Sequence, residues 1–252
     1  MAAPHSFYLR PESWREPFTL DADESHHLVR VLRLKAGAQV RLFDGRGRQG
    51  IFRVLVAAKS GVTLTRESES RVPEPPVRCT LAAGFSKALR RGWFMEKAVE
   101  LEAAALWFWQ GEHSQAALPE AEKASWRASL IAGAKQCQSA WLPEFFLIQG
   151  GVRGLIARRG EFDRALVLYE GDTGGRILRR EDLAASGDPG GGRYAPGSLL
   201  LVVGPEGGFS AAEVAALQNA GVEAVSLGKR ILRWETAAVL TLGMAWWARQ
   251  GQ

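Results

Sequence analysis

Two glycine-containing turns near the C-terminus carry the side chains best suited to chemistry. The first turn, residues 204–210, reads Gly-Pro-Glu-Gly-Gly-Phe-Ser, and the second, residues 227–237, reads Leu-Gly-Lys-Arg-Ile-Leu-Arg-Trp-Glu-Thr-Ala. The first turn offers the carboxylate of Glu206, where a loop used only for turning would more often carry Asn or Asp. The second turn offers the guanidinium of Arg233. A carboxylate can accept a proton and a guanidinium can stabilise developing negative charge, so the pair suits acid–base catalysis on a bound ligand.

The elements around the two turns predict that the turns lie side by side. The aliphatic run 199–203 predicts a buried strand before the first turn. Ser210 then begins a helix, with Glu213 at the capping-box spacing. A short strand at 224–227 precedes the second turn, and the last helix runs from 235 to about 249. Parallel strands joined by one helix bring their carboxyl ends together, which is where such sheets bind ligands. Taken singly, each turn is better explained as an ordinary strand-to-helix connection, and only the pair with its charged residues indicates a site.

The sequence of both turns closely resembles the RsmE family, whose members are SPOUT-class methyltransferases that methylate N3 of a uridine in small-subunit ribosomal RNA. The resemblance implies an α/β fold in which a C-terminal SPOUT domain, with a parallel sheet and a trefoil knot, follows a small PUA-like β-barrel domain. It also implies a homodimer, and S-adenosylmethionine held by backbone groups of the two turns. The cofactor-binding residues that it implies are Gly204, Pro205, Glu206, Gly207, Gly208, Leu227, Gly228, Ile231, Leu232, Thr236 and Ala237.

The implied reaction assigns roles to the charged residues. Uracil mostly retains its N3 proton at neutral pH, so the site must align the base and stabilise or create its anion. Glu206 is the expected base and Arg233 the expected stabiliser of charge on the flanking carbonyl oxygens, with Glu235 as the second choice. Equally, Glu206 could only shape the loop or contact the amino group of the cofactor. The target uridine must leave any base stack to reach the site.

The N-terminal 72 residues predict a small β-barrel that binds RNA. Short strands separated by turns favour such a barrel. The predicted strands are residues 7–9, 18–20, 40–43, 49–56 and 62–64, with a short helix at 23–32. This region carries 12 Lys and Arg against eight Asp and Glu, an excess typical of a nucleic-acid-binding face, although a solvated surface is the alternative. Residues 27–33 and 42–45 also match motifs of the PUA-like domain of the family. The residues expected to contact RNA are Arg10, His27, Arg30, Arg33, Lys87 and Arg230.

A proline-rich segment predicts the domain boundary. Residues 71–76 read Arg-Val-Pro-Glu-Pro-Pro, which suits a stiff, extended connector, so the expected domains are 1–72 and 73–252. Beyond the connector, strands alternate with helices, which indicates a mostly parallel sheet with both faces covered. The predicted strands are 77–85, 106–109, 145–148 and 165–169, the predicted helices are 88–102 and 121–138, and residues 186–198 are predicted to be a flexible loop.

The middle of the chain departs from the family motifs. Residues 97–102 read Lys-Ala-Val-Glu-Leu-Glu, where the family has glycine in place of Glu102. Residues 135–139 read Lys-Gln-Cys-Gln-Ser, where the family has glycine and arginine in place of Gln138 and Ser139. Loss of an arginine that touches phosphate would weaken RNA binding in a salt-dependent way. These departures bear on the strength of RNA binding more than on the cofactor turns.

The composition limits the classes of protein to which this chain can belong. The 252 residues are 46% hydrophobic and 23% charged, as in globular proteins, and neither a membrane-length apolar run nor an export signal is evident, so a cytoplasmic location is expected. Cys79 and Cys137 are expected to be free thiols, and no residue cluster has the spacing of metal ligands. One alternative function is a catalytically weak RNA-binding or ribosome-assembly protein of the same fold. The second alternative function is a nucleotide-binding domain of another α/β class. Such a domain would need a Gly-x-Gly-x-x-Gly turn after an early strand, and none is present.

Overall fold

The chain forms two compact units. A computed structural model describes residues 4–58, 61–86, 91–171, 176–183 and 197–250. The first unit comprises Met1–Glu74 and Ile131–Leu142, and the second comprises Pro75–Leu130 and Pro143–Gln252.

The segment Ile131–Leu142 joins the first unit through hydrogen bonds between residues far apart in sequence. The Trp141 indole N–H donates to the carbonyl oxygen of Val72 at 3.2 Å, and the Gly47 N–H donates to the carbonyl oxygen of Ala140 at 3.0 Å. The expected domains, 1–72 and 73–252, were separated by a single boundary. The observed first unit also contains the segment Ile131–Leu142. The proline-rich connector marks a change of composition, whereas these distant contacts leave no local signal in the sequence.

The first unit is a curled β-sheet around one apolar core. Its elements are β1 (Ser6–Tyr8), β2 (Phe18–Thr19), α1 (Ala22–His26), a π-helical turn (His27–Val31), β3 (Gln39–Phe43), β4 (Arg48–Ala58) and β5 (Gly61–Arg71). The strand order is β1-β3-β4-β5-β2, with β1 parallel to β3 and the other neighbours antiparallel. Phe7 of β1, Phe18 of β2, Leu28 of the π-helical turn and Phe52 of β4 share the core. The predicted β-rich N-terminal domain is thereby confirmed.

Residues 44–47 form the hairpin turn between β3 and β4. The Asp44 carboxylate accepts the N–H of Arg46 at 2.7 Å and that of Arg48 at 3.0 Å, which fixes the turn. β5 runs well beyond the predicted 62–64, because residues 65–71 pair with β4 while all their side chains stay exposed. A strand with two polar faces has no hydrophobic alternation to detect.

Within the described residues, the second unit is a parallel sheet of seven strands covered by helices. Its strands are β6 (Val77–Gly84), β7 (Ala105–Trp109), β8 (Glu144–Ile148), β9 (Arg164–Leu168), β10 (Arg176–Ile177), β11 (Gly197–Val203) and β12 (Glu223–Ser226), in the order β10-β12-β9-β11-β6-β7-β8. The further helices of the chain are α2 (Arg91–Glu100), α3 (Ala124–Cys137), α4 (Val152–Ala157), α5 (Arg180–Leu183), α6 (Ala211–Asn219) and α7 (Trp234–Arg249). Neighbouring strands pair in parallel throughout the sheet as described. The predicted α/β class is confirmed, and the trefoil knot stays a prediction.

Several predicted elements differ in extent. Residues 88–90 of the predicted helix 88–102 lie outside the described ranges, and α2 ends at Glu100. The helix predicted from 121 begins at Ala124. Most of the predicted loop at 186–198 also lies outside those ranges, but its last two residues are strand, because β11 pairs with β6 from Gly197 onward. None of the helices described is long and apolar enough to cross a bilayer.

Three neighbouring strands bring their carboxyl ends to one edge of the sheet. Val203 of β11 pairs with Leu168 of β9, and Leu168 also pairs with Val225 of β12. Leu201 and Val202 of β11 have no exposed surface. Full burial of such a side chain stabilises the fold by about 2 kcal/mol, so these strand ends are a firm base for the loops that follow them.

Helices α2 and α3 both end in a non-glycine residue with left-handed backbone conformation. Glu102 has φ 56° and Gln138 has φ 59°. In each case the N–H of the following residue donates to the carbonyl oxygen five residues back, at 2.9 and 3.0 Å respectively, which is the closing bond of a Schellman motif. That motif usually has glycine at the left-handed position. Both glycines that the chain lacks relative to the family motifs fall at these two positions.

Replacing Gln138 with glycine is expected to raise the free energy of unfolding by about 1 kcal/mol, because glycine adopts the left-handed conformation without steric cost. The Gln138 side chain is exposed, and the bond that Arg41 donates to residue 138 at 2.9 Å goes to the main-chain carbonyl, which glycine retains. Urea denaturation measures the change. The control Ala132→Gly, at an exposed position within α3, should lose about 1 kcal/mol. Equal losses in both variants would contradict the assignment of strain to Gln138.

Neither Cys79 nor Cys137 forms a disulfide bond, as predicted. Cys79 is buried in β6, and burial raises the pKa of its thiol to about 11. It is therefore protonated and unreactive near neutral pH. Cys137 is exposed at the end of α3.

Candidate active site

A cavity of about 600 Å³ lies at the carboxyl ends of β9, β11 and β12. Its walls are the loops that follow these three strands, together with the first turn of α7. The lining residues are 168–170, 203–206, 208–209, 226–228, 230–235 and 237. A concave site of this size at the carboxyl edge of a parallel sheet has the usual position and volume of a small-molecule site.

Nine of the eleven residues predicted to bind the cofactor line this cavity, and the other two, Gly207 and Thr236, lie beside lining residues in the chain. Both predicted catalytic residues, Glu206 and Arg233, also line it, as does the second choice, Glu235. The structure therefore brings the two turns together as predicted. The individual roles stay predictions.

The first loop needs glycine at two positions for different reasons. A Cβ atom at Gly207 would lie 2.6 Å from the carbonyl oxygen of His113, so the loop approaches the segment after β7 too closely for a side chain. Gly208 has open space around it but a φ of 74°, a conformation that other residues adopt only with strain. The loop thus exposes bare backbone to the cavity.

The predicted capping box at the start of α6 is confirmed and does more than cap the helix. The Ser210 hydroxyl accepts the Glu213 N–H at 3.2 Å, and the Glu213 carboxylate accepts the Ser210 N–H at 2.9 Å. The second oxygen of the same carboxylate accepts the Glu112 N–H at 2.8 Å. Glu213 therefore ties the first cavity loop to the loop that follows β7.

Replacing Glu213 with alanine is expected to lower the free energy of unfolding by about 2 kcal/mol, because two main-chain N–H groups lose their shared acceptor. Thermal or urea denaturation measures the loss. The matched control is Gln218→Ala, at an exposed position of the same helix, which should change stability by less than about 0.5 kcal/mol. Equal stability of the two variants would show that the shared carboxylate does not hold the loops.

The second loop is shaped by Ser226 and Gly228. The Ser226 hydroxyl accepts the Gly228 N–H and donates to the Gly228 carbonyl oxygen, both at 3.1 Å, while Gly228 has a φ of 123°. Arg233 is the N-cap residue of α7, and its side chain does not bond to the helix, which leaves the guanidinium exposed at the cavity. Ile231 is 85% exposed, an unusual state for an aliphatic side chain at the mouth of a cavity.

The third wall was missed by the sequence analysis. Residues 168–170 are the last residue of β9 and the two residues that follow it. The sequence predicted this strand but assigned it no part in the site. Tyr169 contacts Phe209 of the first loop edge to face, with ring centroids 6.3 Å apart, and Phe209 stacks on Trp109 at 5.6 Å. Glu170 adds an exposed carboxylate. What places this wall at the cavity is the position of β9 between β11 and β12, and only the strand order reveals that position.

The residues predicted to contact RNA are mostly at the surface. Arg10, Arg30 and Arg33 are exposed in the first unit, and Arg230 is exposed at the cavity. Lys87 lies outside the described residues. His27 is half-buried, and burial, reinforced by the positive charge of Lys135, lowers the pKa of its imidazole, which is therefore neutral at pH 7. Among the described residues, no cluster of His, Cys, Asp and Glu could hold a metal ion.

Comparison with protein families gives two matches that together cover most of the chain. Residues 73–246 match the family described as RNA methyltransferase domain, and residues 20–65 match the RNA methyltransferase PUA domain.

Proteins named ribosomal RNA small subunit methyltransferase E are similar over nearly the whole chain. The protein of that name from Mycobacterium bovis is 35% identical over 237 residues, which cover 89% of this chain and 84% of the relative. The Bacillus subtilis protein of the same name is 30% identical over 230 residues, which cover 89% of this chain and 88% of the relative.

Solved structures share the fold along the full length. A Legionella pneumophila structure described as a methyltransferase with bound cofactor SAM superposes with a TM-score of 0.82 at 25% identity, covering 97% of each chain. The ribosomal RNA small subunit methyltransferase E of Neisseria gonorrhoeae, bound to S-adenosyl methionine, gives a TM-score of 0.76 at 28% identity, covering 96% of this chain and 95% of the other.

Proposed function

We propose, from the premise that this chain belongs to the ribosomal RNA small subunit methyltransferase E family, that it uses S-adenosylmethionine to methylate N3 of a uridine in small-subunit ribosomal RNA. The observation that carries the proposal is the cavity at three parallel strand ends, lined by bare backbone, carboxylates and guanidiniums. A cytoplasmic location belongs to the proposal, because ribosomal RNA is the substrate.

The residues of the cavity fit the cofactor. Its volume of about 600 Å³ lies within the range of small-molecule and cofactor sites. Gly204, Gly208 and Gly228 present backbone groups without side chains, which suits close approach of a flat adenine ring. When bound there, S-adenosylmethionine supplies an electrophilic methyl group on a positively charged sulfur.

The charged residues of the cavity would act on the uracil. Glu206 accepts the N3 proton, and Arg233 stabilises the negative charge that develops on the carbonyl oxygens beside N3. Glu235, one residue into α7, is the second choice for the base. A role for Glu206 in shaping the loop or contacting the cofactor amino group remains the alternative within the same site.

The proposal includes an N-terminal domain, residues 1–72, that grips RNA through its exposed arginines, and a catalytic domain, residues 73–252. It also includes a homodimer formed through α7. Ala245 of this helix is buried and Trp246 is half-buried, so they pack within the subunit, whereas Trp247 is 55% exposed and Leu240 is 41% exposed. Exposed apolar side chains on one helix are typical of an interaction surface.

Transfer of a tritiated methyl group to small-subunit RNA tests the proposal. The purified protein is incubated with labelled S-adenosylmethionine and either free RNA or assembled subunits, and the product is digested and analysed as nucleosides by mass spectrometry. N3-methyluridine is the expected product. RNA binding without methyl transfer would contradict the proposal and favour a catalytically weak assembly protein of the same fold.

A further inference from the structure

Arg91, the first described residue of α2, is held in a cluster of aromatic rings. Its guanidinium carbon lies 4.5 Å from the ring centroid of Phe85, 5.4 Å from that of Trp126 and 5.9 Å from that of Phe108. The guanidinium also donates a hydrogen bond to the main-chain carbonyl of Ser86. A cation over several ring faces gains electrostatic attraction, so this side chain is fixed where most surface arginines are mobile.

Gly84, which precedes the ring of Phe85 that holds Arg91, lies against the first cavity loop. A Cβ atom at Gly84, the last residue of β6, would overlap the backbone nitrogen of Pro205. The N–H of Phe85 donates to the carbonyl oxygen of Trp109 at 2.6 Å, which fixes the chain just beyond that contact. The anchored guanidinium and the loop that carries Glu206 are therefore neighbours.

Glu206 is the carboxylate whose charge acts on Arg91. Burial lowers the pKa of the Arg91 guanidinium, and the negative charge of Glu206 opposes that effect. Glu206 itself is exposed, and within the described residues its carboxylate has neither a hydrogen-bond partner nor an ion pair at contact distance. An exposed carboxylate on a turn thus lies within the electrostatic influence of a cation that aromatic rings hold in place.

We infer that Arg91 is a positioning residue whose ring-anchored guanidinium orients the carboxylate of Glu206, a residue that lines the cavity. The inference rests on the proposed function, in which Glu206 accepts the N3 proton. Because the cofactor would be held by backbone groups of the loops, loss of Arg91 should affect the rate of methyl transfer and leave cofactor affinity unchanged. Because Arg91 acts through Glu206, its loss should have no effect once Glu206 can no longer serve as a base.

A double-mutant cycle of Arg91→Met and Glu206→Gln tests the inference, with kcat for methyl transfer, the Kd for S-adenosylhomocysteine and the Kd for RNA as readouts. Arg91→Met should lower kcat about tenfold and leave both Kd values within about twofold. In the Glu206→Gln background the same change should have no further effect. Arg91→Lys keeps a cation over the rings and should recover kcat to within about threefold. Arg153→Met, at an exposed position of α4, is the matched control and should match the wild type.

Additive losses in the double mutant would overturn the inference, because they would mean that Arg91 acts independently of Glu206, for example on an RNA phosphate. A weaker affinity for S-adenosylhomocysteine at unchanged kcat would also overturn it. If Arg91→Met fails to fold, Arg91→Gln, which can still donate to the Ser86 carbonyl, replaces it in the cycle under the same criteria. A folded wild type that neither binds S-adenosylhomocysteine nor transfers methyl would instead overturn the proposed function, and that result is distinct from additivity in an active enzyme.

Discussion

Replacing Gly207 with valine is expected to weaken the binding of S-adenosylhomocysteine by at least about 100-fold, because the side chain would displace the loop that walls the cavity. A Cβ atom at this position would lie 2.6 Å from the carbonyl oxygen of His113 and 2.7 Å from its Cβ atom. The loop must therefore move, and Glu206 and Gly208, which line the cavity on either side of Gly207, would move with it. Isothermal titration calorimetry of the purified variant measures the affinity.

Two further glycine variants serve as controls for this result. Gly160→Val should bind like the wild type, because a Cβ at Gly160 meets nothing within 4 Å and the residue lies on a short helical turn, Arg159–Glu161. Gly208→Ala tests backbone strain without a steric collision. A Cβ at Gly208 would meet nothing within 4 Å, but the φ of 74° is strained for any residue other than glycine. Unchanged affinity of a folded Gly207→Val variant would exclude this loop as a cofactor wall.

The Glu206→Gln variant is expected to lower kcat for methyl transfer by about 100- to 10,000-fold, the usual range for removal of a general base. An amide cannot accept the N3 proton, yet it keeps the size of the side chain. Glu206 is exposed, so the fold and the affinity for S-adenosylhomocysteine should be retained. Single-turnover transfer to small-subunit RNA separates the chemical step from product release.

Two other carboxylates of the cavity decide how that result is interpreted. Glu235→Gln and Glu170→Gln change residues that line the same space, and each should retain most of the activity. A full rate for Glu206→Gln combined with a large loss for Glu235→Gln would transfer the role of base to Glu235. A full rate with weaker binding of S-adenosylhomocysteine would mean that Glu206 contacts the cofactor.

The two cavity loops could be predicted from the sequence because their chemistry is local. A glycine turn after an aliphatic strand, and a serine three residues before a glutamate, are visible in a few consecutive residues. The third wall at Tyr169 could not be predicted, because it depends on β9 lying between β11 and β12. The ring cluster around Arg91 was missed for the same reason, since Phe85, Phe108 and Trp126 come from separate elements.

The difference between local patterns and distant contacts also explains which parts of the fold could be predicted from the sequence. Alternating strands and helices predicted a parallel sheet, because the hydrophobic pattern of each element is short-range. The assignment of Ile131–Leu142 to the first unit depends on distant partners such as Val72, and no periodicity records them. Glu102 and Gln138 show the reverse case: the sequence marked them only as departures from family motifs, and the structure gives their positions a conformational meaning.

The carboxylate of Glu213 also limits how the protein can diverge. Its two oxygens reach N–H groups in loops that follow different strands, β7 and β11. An insertion in the loop after β7 would move the Glu112 N–H away from this acceptor, and an insertion in the first cavity loop would shift the start of α6 that carries the acceptor. A change of length in either loop therefore puts the same contact between them at risk during evolution. The first cavity loop and the loop after β7 should therefore be inherited, or grafted onto a related scaffold, as one unit.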